Sequence, residues 1–490
     1  MRALFLIFLS AALLLGCNQP SSNINNVAPE FSVEETLPGG QTSVSYTPFP
    51  SLQLPANNIS DELRKKFHAG KAFANQPWVK APTVTSARDG LGPIYNARTC
   101  LTCHIKGGKG FIPDDNATAL TSTLIRLSQP AIDYAGIIKT GVNAHPVYGD
   151  QMQGESISLA HQLRHSQKTG SLKHDVAPEA YIYVNWSQSI FTYPDGEQIT
   201  LRKPSLNITN LGYGPLGENT LYSIRVAPAI HGIGLLELIA EQDLLLNADQ
   251  DDSNDDGISG RANYVWDIEK QATVIGRFGL KSNKPTLKMT VAGAFANDIG
   301  ISNSLFPQQP CTKEQASCLK IQNGNDENNV ELSDELLLLV TNFNRSIAPA
   351  RSRNSQDVQT QKGRELFYQT GCNQCHTPRF VTQKSLDMPH LSEQIIWPYT
   401  DLLLHDMGPE LADGRTDFLA SGNEWRTAPL WGVGLLAQVN GSKALLHDGR
   451  AQTIEEAILW HGGEASLVKS RFVQLAKEER ETLIKFVNSL

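Results

Sequence analysis

Cys100, Cys103 and His104 form one Cys-x-x-Cys-His string, Cys372, Cys375 and His376 form a second, and together they take up four of the seven cysteines in this 490-residue chain. A thiol redox pair has no use for the histidine, and a zinc site would need the two pairs brought together. Cys-x-x-Cys-His is the attachment string of c-type haem. Two thiols one helical turn apart each reach a haem vinyl group, and the adjacent histidine falls under the iron as proximal ligand. Two covalently bound c-type haems are therefore expected, with His104 and His376 each holding an iron.

The other cysteines follow from the compartment. Residues 1–16 carry an early Arg2, a short apolar run and small residues before Cys17, the pattern of a secretory signal and too short for a membrane span. Leu14, Leu15, Gly16 and Cys17 resemble the cleavage box of bacterial lipoproteins. The expectation is an exported, periplasmic lipoprotein with lipid on Cys17, and Asn18 behind it fits anchoring to the outer membrane. Cys311 and Cys318 are then left over, and an even remainder in an exported chain points to a structural disulfide closing a small loop. A formal charge of -8 without a basic run argues against nucleic acid as a partner.

Residues 17–59 are rich in Ser, Asn, Pro and Gly with little apolar periodicity, and read as a tether. Ser60, followed by Asp61 and Glu62, opens a helix. Between Tyr181 and Leu206, β-branched and aromatic residues flank an Asp195-Gly196 turn, which predicts a hairpin inserted into an enlarged first haem domain. Ser333 caps another helix, and the polar, Arg-rich run at 348–357 is the expected boundary between domains at 60–350 and 351–490. In the second domain a helix ends at Gly371 and delivers the haem string, Thr453 and Glu456 stand at capping-box spacing, and residues 476–490 form an amphipathic terminal helix.

The stretches LGPIYNARTCLTCH, GIGLLE, DGISGRANYVWD, GAFANDIGI, GCNQCHTP, YTDLLLHDMGPELADG, EWRTAPLWGVG and LHDGRAQTIEEAILWHGGEA resemble the bacterial di-haem oxidoreductase family. That family is named for peroxidase activity, and some members carry a thiol oxidoreductase label. The likeness runs from about Gly90 to the C-terminus, and the second half also resembles the haem domain of di-haem cytochrome c peroxidases and of the enzyme that matures methylamine dehydrogenase. The resemblance implies a mainly α fold with two c-type cytochrome haem domains facing each other. A thiol activity fits it poorly, because haem consumes both cysteine pairs. It also implies an oxidoreductase: electrons from a redox partner protein, such as a small cytochrome, enter at the C-terminal haem and pass to an N-terminal catalytic haem that reduces peroxide. The competing readings are a di-haem electron-transfer cytochrome without catalysis and a maturation oxidase acting on a partner protein.

Methionine as sixth ligand favours ferrous iron, whereas an open position admits peroxide. Met407, in a Gly/Pro-bounded loop after His376, is the expected second ligand of the C-terminal haem, with His405 its rival on the same segment. No histidine or methionine follows His104 until His145, which fits an open N-terminal haem. Peroxide cleavage needs a group that moves a proton between the oxygens. The related peroxidases use a distal glutamate, and Glu237, an acid in an apolar run behind Gly232 and Gly234, is the best contextual match. Burial would raise its pKa into a useful range. His231 is the alternative. Asp252, Asn254, Asp256 and Gly257 stand in the order of a calcium loop, with the Ile258 carbonyl as a further oxygen. Asn263 replaces the closing glutamate, so calcium competes with a plain acidic turn. Trp266 and Trp431 lie in the family-like stretches, and His447 and His461 are expected to pack around the second haem.

Overall fold

The computed structural model describes residues 27–45, 51–84, 88–130, 137–158, 176–321, 323–326 and 328–490. The expected signal peptide and the Cys17 lipid site lie outside the described residues.

Helix Asp61–Asn75 begins where the Ser60 hydroxyl accepts the Leu63 amide, with Asp61 and Glu62 beside the unpaired N–H groups of the first turn. Its buried face, Phe67, Gly70 and Ala74, packs on helix Asp334–Arg345, which Ser333 caps in the same way. The crossing is close. A Cβ built on Gly70 would lie 2.3 Å from the Leu339 carbonyl oxygen and 2.8 Å from Phe343 Cβ. Helix Val358–Thr370 crosses helix Lys477–Ser489 by the same device, a Cβ on Gly363 falling 2.1 Å from the Thr482 carbonyl oxygen and 2.8 Å from Phe486 Cβ. In both halves, the helix ahead of a Cys-x-x-Cys-His string seats a glycine on a carbonyl and on the phenylalanine four residues later. Gly70→Ala has to push its pair of helices apart, and is expected to cost about 1–3 kcal/mol. A lower denaturant midpoint at unchanged slope checks this, and an unchanged midpoint would refute the close approach.

Strands Tyr181–Thr192 and Gln198–Thr209 pair antiparallel around Gly196, whose φ of 89° suits a residue without a Cβ. This is the hairpin that the Asp195-Gly196 pair predicts. Its tip lies on the C-terminal half: Tyr193 belongs to the core cluster that includes Phe367, Trp460 and Phe472, and donates to Glu455. Arg480 covers the Tyr193 ring at 3.8 Å and pairs with Asp195 and Glu197. The insertion therefore clamps the two halves together.

The expectation of a mainly α chain needs correction. Helices alternate with six two-stranded antiparallel sheets among the described residues. Most of these strands have two to six residues, too few to leave a clear alternating pattern in the sequence. They matter to the interior: strand Thr123–Ser128 turns Leu124 and Arg126 to a central cavity, and strand Leu404–Asp406 pairs with Glu424–Arg426 so that His405 stands opposite Trp425.

The stretch read as a tether is packed where it is described. Ser32 and Glu35 form a capping box around Val33–Thr36, and the buried Glu35 carboxylate accepts from Arg364 Nε and Nη2 at 2.8 and 2.7 Å. Trp397 donates its amide to the Pro38 carbonyl, and Val44 bridges Ala350 in parallel. One buried ion pair and main-chain bonds hold a polar segment that composition marks as free. Cys311 and Cys318 are joined by the expected disulfide. No helix among the described residues is long and apolar enough to cross a membrane.

Candidate functional site

Both Cys-x-x-Cys-His strings open onto one interior cavity of about 550 Å³. Thr99 caps the helical turn Cys100–Cys103, and the His104 amide donates to the Cys100 carbonyl at 2.8 Å. In the second string Gly371 ends the preceding helix at φ 95°, Cys372–Gln374 form a 3-10 turn, and the His376 amide donates to the Cys372 carbonyl at 3.0 Å. All four thiols are free. Burial pushes the Cys100 thiol up to about 12 and that of Cys372 up to about 11, the reverse of the depressed pKa that a thiol redox enzyme needs. His104 Nδ1 lies 2.7 Å from the Pro228 carbonyl oxygen, and His376 Nδ1 lies 3.0 Å from that of Tyr399. A carbonyl only accepts, so Nδ1 carries the proton in both rings and Nε2 keeps its lone pair for a metal.

The charge on the cavity wall is one-sided. Among the described residues, Lys109, Arg126, Arg225, Arg277, Lys284, Arg426 and Lys469 line it against a single carboxylate, Asp298. Arg126 pairs with Asp150 and Arg225 with Asp417. Lys109 reaches only the Leu446 carbonyl, Arg277 those of Leu236 and Ile239, and Arg426 those of Gly279 and Thr427. Lys284 lies against the Phe306 ring. These four have no carboxylate partner among the described residues, and burial pulls Lys109 down to about 8 and Arg426 to about 10. These half-buried cations face the cavity without a counter-charge, so the wall suits an anionic occupant. Two haems bring four carboxylates, and the thiols, free Nε2 atoms and unmatched cations fit them.

The expected site residues fall in different places. His405 has no nitrogen left for iron: Nε2 lies 2.8 Å from Asp401 Oδ2 and Nδ1 lies 2.7 Å from Glu464 Oε2. Against the effect of burial, Asp401 above all holds this imidazole protonated, its pKa well above the usual value. Met407 lines the cavity, its amide held by the Asn423 carbonyl and its side chain packed on the cluster that includes Phe367 and Leu459. Glu237 does not line it. That residue ends the short helix Ile233–Glu237, where Leu236 faces the cavity and the Glu237 carboxylate accepts from Arg345 Nε at 2.6 Å and the Leu287 amide at 2.7 Å. His231 is buried in the wall, with Nε2 2.9 Å from the Trp431 carbonyl oxygen and Nδ1 without a partner among the described residues.

Among the described residues the carboxylate that faces the cavity is Asp298, inside the GAFANDIGI stretch, where nothing in the local sequence sets it apart from other acids. It lies on a π-turn, Phe295–Ile299, that continues helix Leu287–Ala294, a local unwinding frequent at functional sites. Gln151 Nε2 donates to Asp298 Oδ1 at 2.8 Å. Burial raises the Asp298 pKa against the pull of Arg126, and the Asp298 carbonyl accepts the Asn96 and Ala97 amides at 2.8 and 2.9 Å, which puts the residue beside the first string.

The acidic loop turns its oxygens inward. Asp252, Asn254 and Asp256 accept the amides of Asp256, Gly257 and Ile258. No group of three His, Cys, Asp or Glu able to hold a metal occurs among the described residues, and we assign no calcium to Asp252, Asn254, Asp256 and Ile258. Trp431 lines the cavity, whereas the Trp266 ring lies under Lys139. His447 stacks on Trp425 with ring centroids 3.7 Å apart.

Glu464 ties this loop to the second string, accepting from Ser259, the Asp406 amide and His405. Although burial opposes it, these partners push Glu464 down to about 2 from 4.5. A carboxylate depressed on folding contributes stability that is complete above its unfolded pKa and lost as pH falls through the folded one. Glu464→Gln is therefore expected to lower stability at pH 7 and to leave it near wild type once the pH has fallen to about 2. Equal losses at both pH values would rule out this linkage.

Residues 33–490 match the family described as "Di-haem oxidoreductase, putative peroxidase". Comparison with curated proteins gives no match. Among solved structures, hydrazine synthase from Kuenenia stuttgartiensis is similar at 16% identity with a TM-score of 0.24, over 33% of this chain and 57% of that chain, a likeness too loose to bear on fold or chemistry. The family match spans nearly the whole chain, and two haems are what the paired strings and the cation-lined cavity fit: the chain belongs to the di-haem oxidoreductase family.

Proposed function

We propose that this protein is an exported di-haem c-type oxidoreductase that reduces peroxide. The observation that carries the reading is that both strings open onto one cavity, with the carboxylate of Asp298 in its wall on the side of the first. Cys100, Cys103 and His104 would hold one haem, and Cys372, Cys375 and His376 would hold the other. When bound, the haems supply the redox iron, and peroxide reduction at the first consumes two electrons and two protons to give two waters. Electrons come from a redox partner protein, a small cytochrome or similar, and enter on the C-terminal side.

The chain's own part is positioning and proton transfer. The Pro228 and Tyr399 carbonyls orient the two proximal rings. Lys109, Arg277, Lys284 and Arg426 meet the haem carboxylates. Asp298, held by Gln151 and raised in pKa by burial, moves the proton between the peroxide oxygens. Glu237, engaged by Arg345, is a structural counter-ion in this reading. A pure electron carrier would need a sixth ligand on both irons, whereas peroxide reduction needs one iron left open. Export and anchoring through lipid on Cys17 are supported by the signal-like residues 1–16 and by the Cys311–Cys318 disulfide, which suits an oxidising compartment. The test is turnover: the haem-loaded protein with a reduced small cytochrome is expected to oxidise that donor only when hydrogen peroxide is added. Two low-spin haems inert to peroxide in every redox state would remove the proposal.

A further inference from the structure

Resting on the reading that His376 holds a haem, we propose that His461 is the second protein ligand of that iron, in the place expected for Met407.

Among the described residues six histidines line the cavity, and the hydrogen bonds of their rings sort them into two sets. In His231 the bonded nitrogen is Nε2, and in His405 both nitrogens face carboxylates. His447 turns Nε2 to Asp448 at 3.5 Å and stacks on Trp425. The other three share one arrangement: Nδ1 on a main-chain carbonyl and Nε2 without a partner among the described residues. Two of them are His104 and His376. The third is His461, whose Nδ1 lies 2.6 Å from the Ala457 carbonyl oxygen. A carbonyl on Nδ1 fixes both tautomer and ring orientation, which is how iron- and zinc-binding imidazoles are commonly held. His461 therefore carries the same preparation for a metal as the two proximal ligands.

Its position matches. Helix Ile454–Trp460 starts at the Thr453 cap and ends at His461, so the ring bonds one turn back along a rigid element. His461 lines the same cavity as His376. The next residue, Gly462, packs on the Met407 peptide, where a Cβ would stand 3.0 Å from the Met407 carbonyl oxygen. His461 and Met407 thus reach the second string from adjoining segments, and only one can take the sixth position. The imidazole is oriented by a hydrogen bond. The Met407 side chain has only apolar packing around a flexible thioether.

The test is spectroscopic and uses the full, haem-loaded chain. Haem content is measured first; absence of haem from Cys372 and Cys375 overturns the functional reading and this assignment with it. With both haems present, ferric wild type is expected to show a low-spin signal of the bis-imidazole type and no near-infrared charge-transfer band from sulfur to iron. His461→Ala is expected to lose that low-spin signal one for one and to regain it with added imidazole, whereas Met407→Leu leaves it unchanged. His461→Met is expected to introduce the sulfur band. A sulfur band already present in wild type, lost in Met407→Leu and untouched in His461→Ala, would overturn the assignment while leaving the di-haem reading intact.

Discussion

Replacing Cys372 and Cys375 together by alanine is expected to cut the covalently held haem from two per chain to one, and replacing Cys100 and Cys103 is expected to do the same independently. In the proposed reading the two strings are separate attachment points, each with its own proximal imidazole, so neither pair could stand in for the other. A zinc site or a thiol redox couple assembled from both pairs would be lost altogether by either change. The pyridine haemochrome absorbance remaining after acid extraction of loose haem gives the stoichiometry. Two haems retained in either double variant would show that the cysteines are not the attachment groups. The cations add a second reading of the same variants: with one haem missing, part of the wall keeps half-buried charge without a partner, and the protein should unfold at lower denaturant than wild type.

The second large effect concerns the proton. Asp298→Asn keeps the shape and the Gln151 contact but removes the group that can give and take a proton. The rate constant for reaction of the ferric or mixed-valence protein with hydrogen peroxide is expected to fall by about 10²–10⁴-fold, with haem content unchanged. Glu237→Gln is expected to act differently. Its carboxylate receives Arg345 and the Leu287 amide away from the cavity, so the loss should appear as stability while the peroxide rate per folded molecule stays near wild type. Stopped-flow traces on the two variants separate these roles. A large loss of rate in Glu237→Gln beside a normal Asp298→Asn would reverse the assignment.

What the sequence shows about this molecule is what is written locally. The two Cys-x-x-Cys-His strings stand out because all their residues fall within five positions, and the structure turns both onto one cavity. The starts of helices at Ser60, Ser333 and Thr453 are legible because a cap is a contact over three residues, and the Asp195-Gly196 turn because only a few residues accept its backbone. Partners far apart in the chain are silent. Glu35 looks like one more acid in a polar leader until Arg364 closes on it, and Glu237 and Asp298 are both acids in apolar runs until the fold decides which one faces the cavity. The shared glycine-on-carbonyl crossing of Gly70 and Gly363 escapes notice because backbone geometry is repeated while the flanking residues differ. The mainly α expectation fails for a related reason: short two-stranded ladders carry too few residues to alternate visibly.

The most direct test is the intact mass of the protein matured in a host that attaches c-type haem, followed by the masses of its proteolytic fragments. The polypeptide is expected to be heavier by two haem groups, one on the fragment bearing Cys100 and Cys103 and one on that bearing Cys372 and Cys375. A bare polypeptide mass, or zinc held by those four sulfurs, would contradict the account.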